Sequence, residues 1–100
     1  LNGKKPTKAE TKWIESIVEY GCVVCRNEGK HTPPQVHHIN GSKKEGCHFD
    51  TIPLCYYHHQ GHNDDSAYTS RHPFKARFEE RYGTDLELLA QIREELAARS

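Results

Sequence analysis

Cys22-Val23-Val24-Cys25 and Cys55-Tyr56-Tyr57-His58 are two C-x-x-[CH] knuckles with 29 residues between them. Three thiolates and one imidazole at that spacing suit a single tetrahedral zinc ion. A redox Cys pair would need a thioredoxin-like strand and helix around it, and Gly21 with the polar loop after Cys25 does not supply them. Structural zinc is therefore expected on Cys22, Cys25, Cys55 and His58. The insertion between the knuckles is longer than a minimal zinc ribbon needs, and it contains the adjacent pair His37-His38.

Composition explains why a metal is needed. In 100 residues, 34% are hydrophobic and 28% charged, which predicts one domain (1–100) with a thin core that needs reinforcement. All four cysteines and seven of the eight histidines fall between Cys22 and His62. In a reducing cytosol such cysteines are more often ligands than disulfides. No apolar run approaches the ~20 residues of a membrane span, and Leu1-Asn2-Gly3-Lys4-Lys5 has no signal-peptide core. The expectation is a soluble, cytoplasmic monomer with no membrane partner. Formal charge is zero, yet residues 1–44 carry eight Lys/Arg against four acids and residues 45–100 carry six against ten. The basic front half is what a phosphate-binding face needs.

Outward from the knuckles, Thr7 to Glu10 reads as a capping box. It opens a helix from about Lys8 to Tyr20, with Trp13, Ile14, Ile17 and Val18 on one face and Gly21 at its end. No regular element is expected from Gly21 to Gln35. A strand at Val36 to Ile39, the turn dipeptide Asn40-Gly41 and an extended piece at about Asp50 to Leu54 form a loose hairpin. Helix resumes near Tyr56, so the knuckles and hairpin occupy about 21–62. Pro73 suits the first turn of a further helix presenting Phe74, Phe78 and Tyr82. After Gly83, Thr84 to Glu87 caps a last helix to about Arg99, with Leu88, Leu89, Ile92 and Leu96 inward. The fold class is α+β, with helices flanking a zinc-stabilised centre.

With His58 assigned, His37, His38, His48, His59, His62 and His72 are more imidazole than packing requires, so a second site is expected. Side chains alternate along a strand, which gives His37 and His38 separate roles. Phosphodiester cleavage needs a cation and a base for water, and one liganded and one unliganded histidine supply both.

The runs Val36-His37-His38-Ile39, Asp50-Thr51-Ile52-Pro53-Leu54-Cys55 and His58-His59 resemble the HNH (ββα-metal) endonuclease signature. That resemblance implies His37 as first ligand of a catalytic metal, His38 as general base and His59 as second ligand. The family's central Asn falls at Asp50, which either ties the hairpin loop or recruits metal. Cys22 through His59, with Gly46-Cys47-His48, is similar to the RecA-dependent recombination-enhancement nucleases of phage. The similarity implies DNA cleavage directed by a RecA filament and makes His72, then His62, the third ligand. Cys47 and His48 cap the loop, contact phosphate or enter a metal shell. The catalytic ion is Zn²⁺, Mg²⁺ or Mn²⁺, with an imidazole-rich site favouring the transition metals. Lys43, Lys44, Arg71 and Lys75 are candidate phosphate contacts, with Lys30 and Arg77 behind them. Two non-catalytic readings compete. A zinc module that only binds nucleic acid leaves the second histidine set unexplained, and a protein-interaction module would close both metal sites.

Overall fold

The computed structural model describes residues 5–40 and 47–99. Helix α1 (Lys8–Tyr20) opens with the expected capping box. The Thr7 hydroxyl accepts from the Glu10 N–H at 3.2 Å, and Glu10 Oε1 accepts from the Thr7 N–H at 2.8 Å. Its inward stripe is Glu10, Trp13, Ile17 and Tyr20. Val18, expected inward, is 44% exposed, because one step from Ile17 turns the helix ~100° away from the core. Tyr20, three residues on from Ile17, fills that place and donates from its hydroxyl to Glu95 Oε2 at 2.6 Å. Burial, reinforced by Glu95, pushes the Tyr20 phenol up to about 12.

Gly21 ends α1 at φ +85°, and a Cβ there would meet the His31 ring at 3.2 Å and the Thr32 carbonyl at 3.3 Å. Only glycine satisfies both constraints. A short helix, α2 (Val23–Asn27), then replaces the expected irregular segment. Cys22 starts it by accepting the Cys25 N–H on sulfur at 3.5 Å, so a knuckle turn supplies the cap that propensity alone does not.

Strands β1 (Gln35–His38) and β2 (Thr51–Leu54) pair antiparallel in the register His37↔Ile52 and His38↔Thr51. They realise the expected hairpin within a residue at each end. A 3-10 turn, Cys47–Phe49, leads into β2. The indole of Trp13 donates to Thr51 Oγ1 at 2.8 Å, and that hydroxyl donates to the His48 carbonyl at 3.0 Å. This chain fastens α1 to the hairpin mouth.

One turn of helix, α3 (Tyr56–His59), follows β2 directly. Helix α4 (Lys75–Tyr82) begins two residues after Pro73, which precedes it in a turn instead of joining its first turn. Phe78 is fully buried and Tyr82 packs beside it, rings 5.0 Å apart. Helix α5 (Asp85–Arg99) carries the second capping box, Thr84 with Glu87. It buries Leu88, Leu89 and Ile92 against β2, α1 and the knuckle cysteines, with Leu96 packed at the margin. No helix among the described residues is long and apolar enough to cross a membrane.

Leu54 lies at the junction of hairpin and clamp and is 0% exposed. Leu54→Ala removes three buried carbons and leaves a cavity, so a loss of about 2–5 kcal/mol is expected. Urea unfolding of the zinc-loaded chain measures it. A loss under about 1 kcal/mol would mean the strand is not packed as described.

Candidate metal centre and histidine cluster

The knuckles meet because α2 and α3 each begin on a cysteine. Cys22 and Cys55 are the N-caps, and Cys25 and His58 stand three residues later, on the same side of their turns. The four donor atoms lie within 4.8 Å of one another, and all four residues are buried. The Cys25 and Cys55 sulfurs are 3.8 Å apart. His58 Nδ1 is 3.6 Å from the sulfur of Cys22, 3.5 Å from that of Cys25 and 3.3 Å from that of Cys55. A zinc tetrahedron with Zn–S of about 2.3 Å and Zn–N of about 2.0 Å has edges of about 3.8 Å (S–S) and about 3.5 Å (S–N). Donor types and spacings therefore fit a metal such as zinc. The His58 ring is held between Tyr68 and Tyr82, at 4.9 and 5.1 Å.

Electrostatics give the same answer. Without an ion, the hydrogen bond from Cys22 and the contact with His58 pull the Cys55 thiol below its usual range, while that same bond and burial push Cys22 up. Burial also raises Cys25. Buried thiols this close oppose one another's ionisation, so a cation is what would allow them to ionise together. All four cysteines of the chain are unbridged, and Cys47 is buried apart from the quartet.

Alternation along β1 separates the two adjacent histidines, as expected. His37 faces α3, its ring 5.1 Å from that of His59, and its Nε2–H donates to Asp85 Oδ2 at 3.3 Å. His38 turns the other way and shares a hydrogen bond with His48, Nε2 to Nδ1 at 2.9 Å. Burial first, then repulsion from His48 and His37, lowers His38 from its ordinary value. His59 Nδ1–H donates to Gln35 Oε1 at 2.8 Å. Burial, with repulsion from His37, Arg71 and His72 outweighing the attraction of Asp85, holds His59 down to about 4. Both members of the His37/His59 pair thus have one nitrogen occupied by an acceptor, and in the neutral ring the other carries a lone pair.

His72 reaches this cluster because the chain before α4 is stitched to α3. The backbone N–H groups of Arg71 and His72 donate to the carbonyls of His58 and His59 at 2.8 and 2.9 Å. His62, at φ +58°, faces His72 with ring centroids 5.8 Å apart. Among the described residues, the Cys/His quartet is the group of three or more donors gathered within 4.8 Å. The histidine cluster is a looser arrangement around His59.

The remaining candidates divide. Asp50 lies across the hairpin mouth, its Oδ2 accepting from Asn40 at 3.5 Å and its Oδ1 paired with Arg93 at 3.4 Å. These are loop-tying contacts. Arg71 points inward, with Nε and Nη2 donating to the two oxygens of Asp85 at 3.1 and 3.0 Å. Lys75 is exposed on a cleft of about 370 Å³ shared with Asn40, Arg71 and Asp85. Arg77 pairs with Asp64, and the Lys30 ammonium sits 5.8 Å over the Tyr68 ring. Lys43 and Lys44 lie outside the described residues. Sequence reading missed Asp85, Gln35 and the pairing of His48 with His38. A buried-face acid after a capping Thr was the available signal for Asp85.

Hairpin, one-turn helix and Cys₃His quartet define a small α+β fold whose buried quartet could hold a metal such as zinc. A family model described as recombination enhancement, RecA-dependent nuclease matches residues 6–97. The chain belongs to that family.

Proposed function

We propose that the chain is a metal-dependent endonuclease of the HNH type that hydrolyses phosphodiester bonds in DNA within a RecA filament. The observation that carries this reading is the His37/His59 pair, 5.1 Å apart, each ring oriented by an acceptor on its far nitrogen. Zinc stays in the Cys₃His quartet as a structural ion. His37 and His59 would hold a second ion, with His72 as third ligand. His72 is favoured over His62 because its backbone N–H bonds the His59 carbonyl at 2.9 Å and ties it beside that ring. Neutral imidazoles suit Zn²⁺ or Mn²⁺ better than Mg²⁺. When bound, that ion would supply positive charge for the leaving 3′ oxygen.

His38 is the general base. Its lowered proton affinity leaves it able to take a proton from water, whose oxygen attacks phosphorus as the bond to the 3′ oxygen breaks. In-line attack puts the attacking water and the leaving 3′ oxygen on opposite sides of phosphorus, so base and cation have separate tasks, as His37 and His38 have separate partners. Asp50 braces the loop that carries His48 toward His38. Lys75 at the cleft, with Lys43 and Lys44, supplies phosphate contacts. The family membership supports DNA and RecA as partners and a cytoplasmic place of action.

Supercoiled plasmid and a RecA-bound D-loop, incubated with the zinc-loaded chain and added Mg²⁺, Mn²⁺ or Zn²⁺, test the reading. Nicked or linear product that depends on the filament and on the added ion is expected. DNA binding with no hydrolysis under any ion would make the chain a binding module.

A further inference from the structure

The His37 side chain is gripped from behind by a buried ion pair that neither helix capping nor the zinc clamp requires. We propose that Asp85, braced by Arg71, is a positioning residue that fixes His37 in the Nε2–H form and so presents its Nδ1 lone pair to a divalent ion. The inference rests on the proposed role of His37 as a ligand.

Asp85 stands in the first turn of α5, yet the capping work there belongs to Thr84 and Glu87, which bond reciprocally at 2.9 and 3.1 Å. Its carboxylate is free for another purpose, and its side chain is only 8% exposed. A carboxylate is not buried without partners. Here Oδ1 takes the Arg71 Nε–H at 3.1 Å, while Oδ2 takes both the Arg71 Nη2–H at 3.0 Å and the His37 Nε2–H at 3.3 Å. Paired through both oxygens with a guanidinium fork, Asp85 is a carboxylate, and a carboxylate can only accept.

The imidazole must therefore donate from Nε2. Donation there moves the lone pair of the neutral ring to Nδ1, and a carboxylate partner makes that nitrogen a better donor to metal. The guanidinium fork occupies both carboxylate oxygens, which directs Asp85 to orient a ligand instead of becoming one. Arg71 is itself fixed, its backbone N–H donating to the His58 carbonyl at 2.8 Å. The brace thus runs from the zinc clamp through Arg71 and Asp85 to His37. Gln35 performs the matching task for His59 with a neutral amide.

Long-range ¹H–¹⁵N spectra of histidine-labelled chain carrying one zinc per molecule report the tautomer directly. His37 is expected as Nε2–H. An Nδ1–H form in the wild-type chain overturns the proposal before any variant is made. In Asp85→Asn and Arg71→Lys, His37 is expected to populate both tautomers. Cobalt(II) added stepwise to the one-zinc chain should bind 10–100-fold more weakly than to wild type, read from its visible absorption. Unchanged tautomer and unchanged cobalt affinity in folded variants also overturn it. Failure of the underlying reading looks different: wild type would then bind no cobalt beyond the quartet while its His37 tautomer remained measurable.

Discussion

Stripping the metal from the Cys22, Cys25, Cys55 and His58 quartet will unfold the chain. The quartet is not an ornament on a finished core, because Cys22, Cys25 and Cys55 are members of the buried cluster together with Ile17, Leu54 and Leu89. Without an ion that cluster must keep three sulfurs and an imidazole buried in contact, with the thiols opposing one another's ionisation. A structural zinc contributes on the order of 10 kcal/mol to folding in zinc-finger peptides. Whole domains are stable by a net of about 5–15 kcal/mol, so an ion's contribution of that size is as large as the entire margin. A tight chelator should abolish the far-ultraviolet helical signal and the cooperative melt, and stoichiometric Zn²⁺ should restore both with release of protons. Cys55→Ser should reproduce the loss. A chelated chain that still melts cooperatively, within about 5 °C of the loaded form, would contradict the assignment.

His38→Ala should reduce cleavage by about 10²–10⁴-fold while the melt and the zinc content stay near wild type. The side chain is partly exposed and its described partner is the His48 ring, so little packing is lost. The pH dependence has a definite sign. Burial and two neighbouring imidazoles lower His38, which favours its neutral form at pH 7, the form the proposed base requires. Its competence is lost only as pH falls through that lowered value. The wild-type rate should therefore be level above about pH 6.5, the ordinary histidine value, and decline on the acid side. Added imidazole should restore part of the activity to the alanine variant. Wild-type rates in His38→Ala would remove this residue from the chemistry.

What could be read beforehand was whatever depends on spacing. The quartet followed from two short repeats of Cys and His, since one turn of backbone brings a residue and its third successor together. The hairpin and the outer helices followed from periodicity and from two Thr/Glu boxes. Contacts across long loops were not legible. Asp85 meets Arg71 fourteen residues away and His37 forty-eight away, and its place on the face of Leu88, Leu89 and Ile92 marks it as inward-facing without naming either partner. Arg71 was read as a phosphate contact because sequence reports charge and not direction. Helix α2 escaped because its cap is a sulfur, a device that propensity scales do not contain. Val18 and Tyr20 exchanged places because four apolar positions defined the face and one of them lay at its edge.

Helix α3 is a single turn, and its last two residues serve different masters: His58 closes the quartet, His59 anchors the histidine cluster. One peptide bond separates them. Loss of an ion from the quartet would therefore be felt at His59 as well as in the scaffold. Inhibition by a chelator therefore reports first on the scaffold, whatever the chemistry at the neighbouring histidines requires.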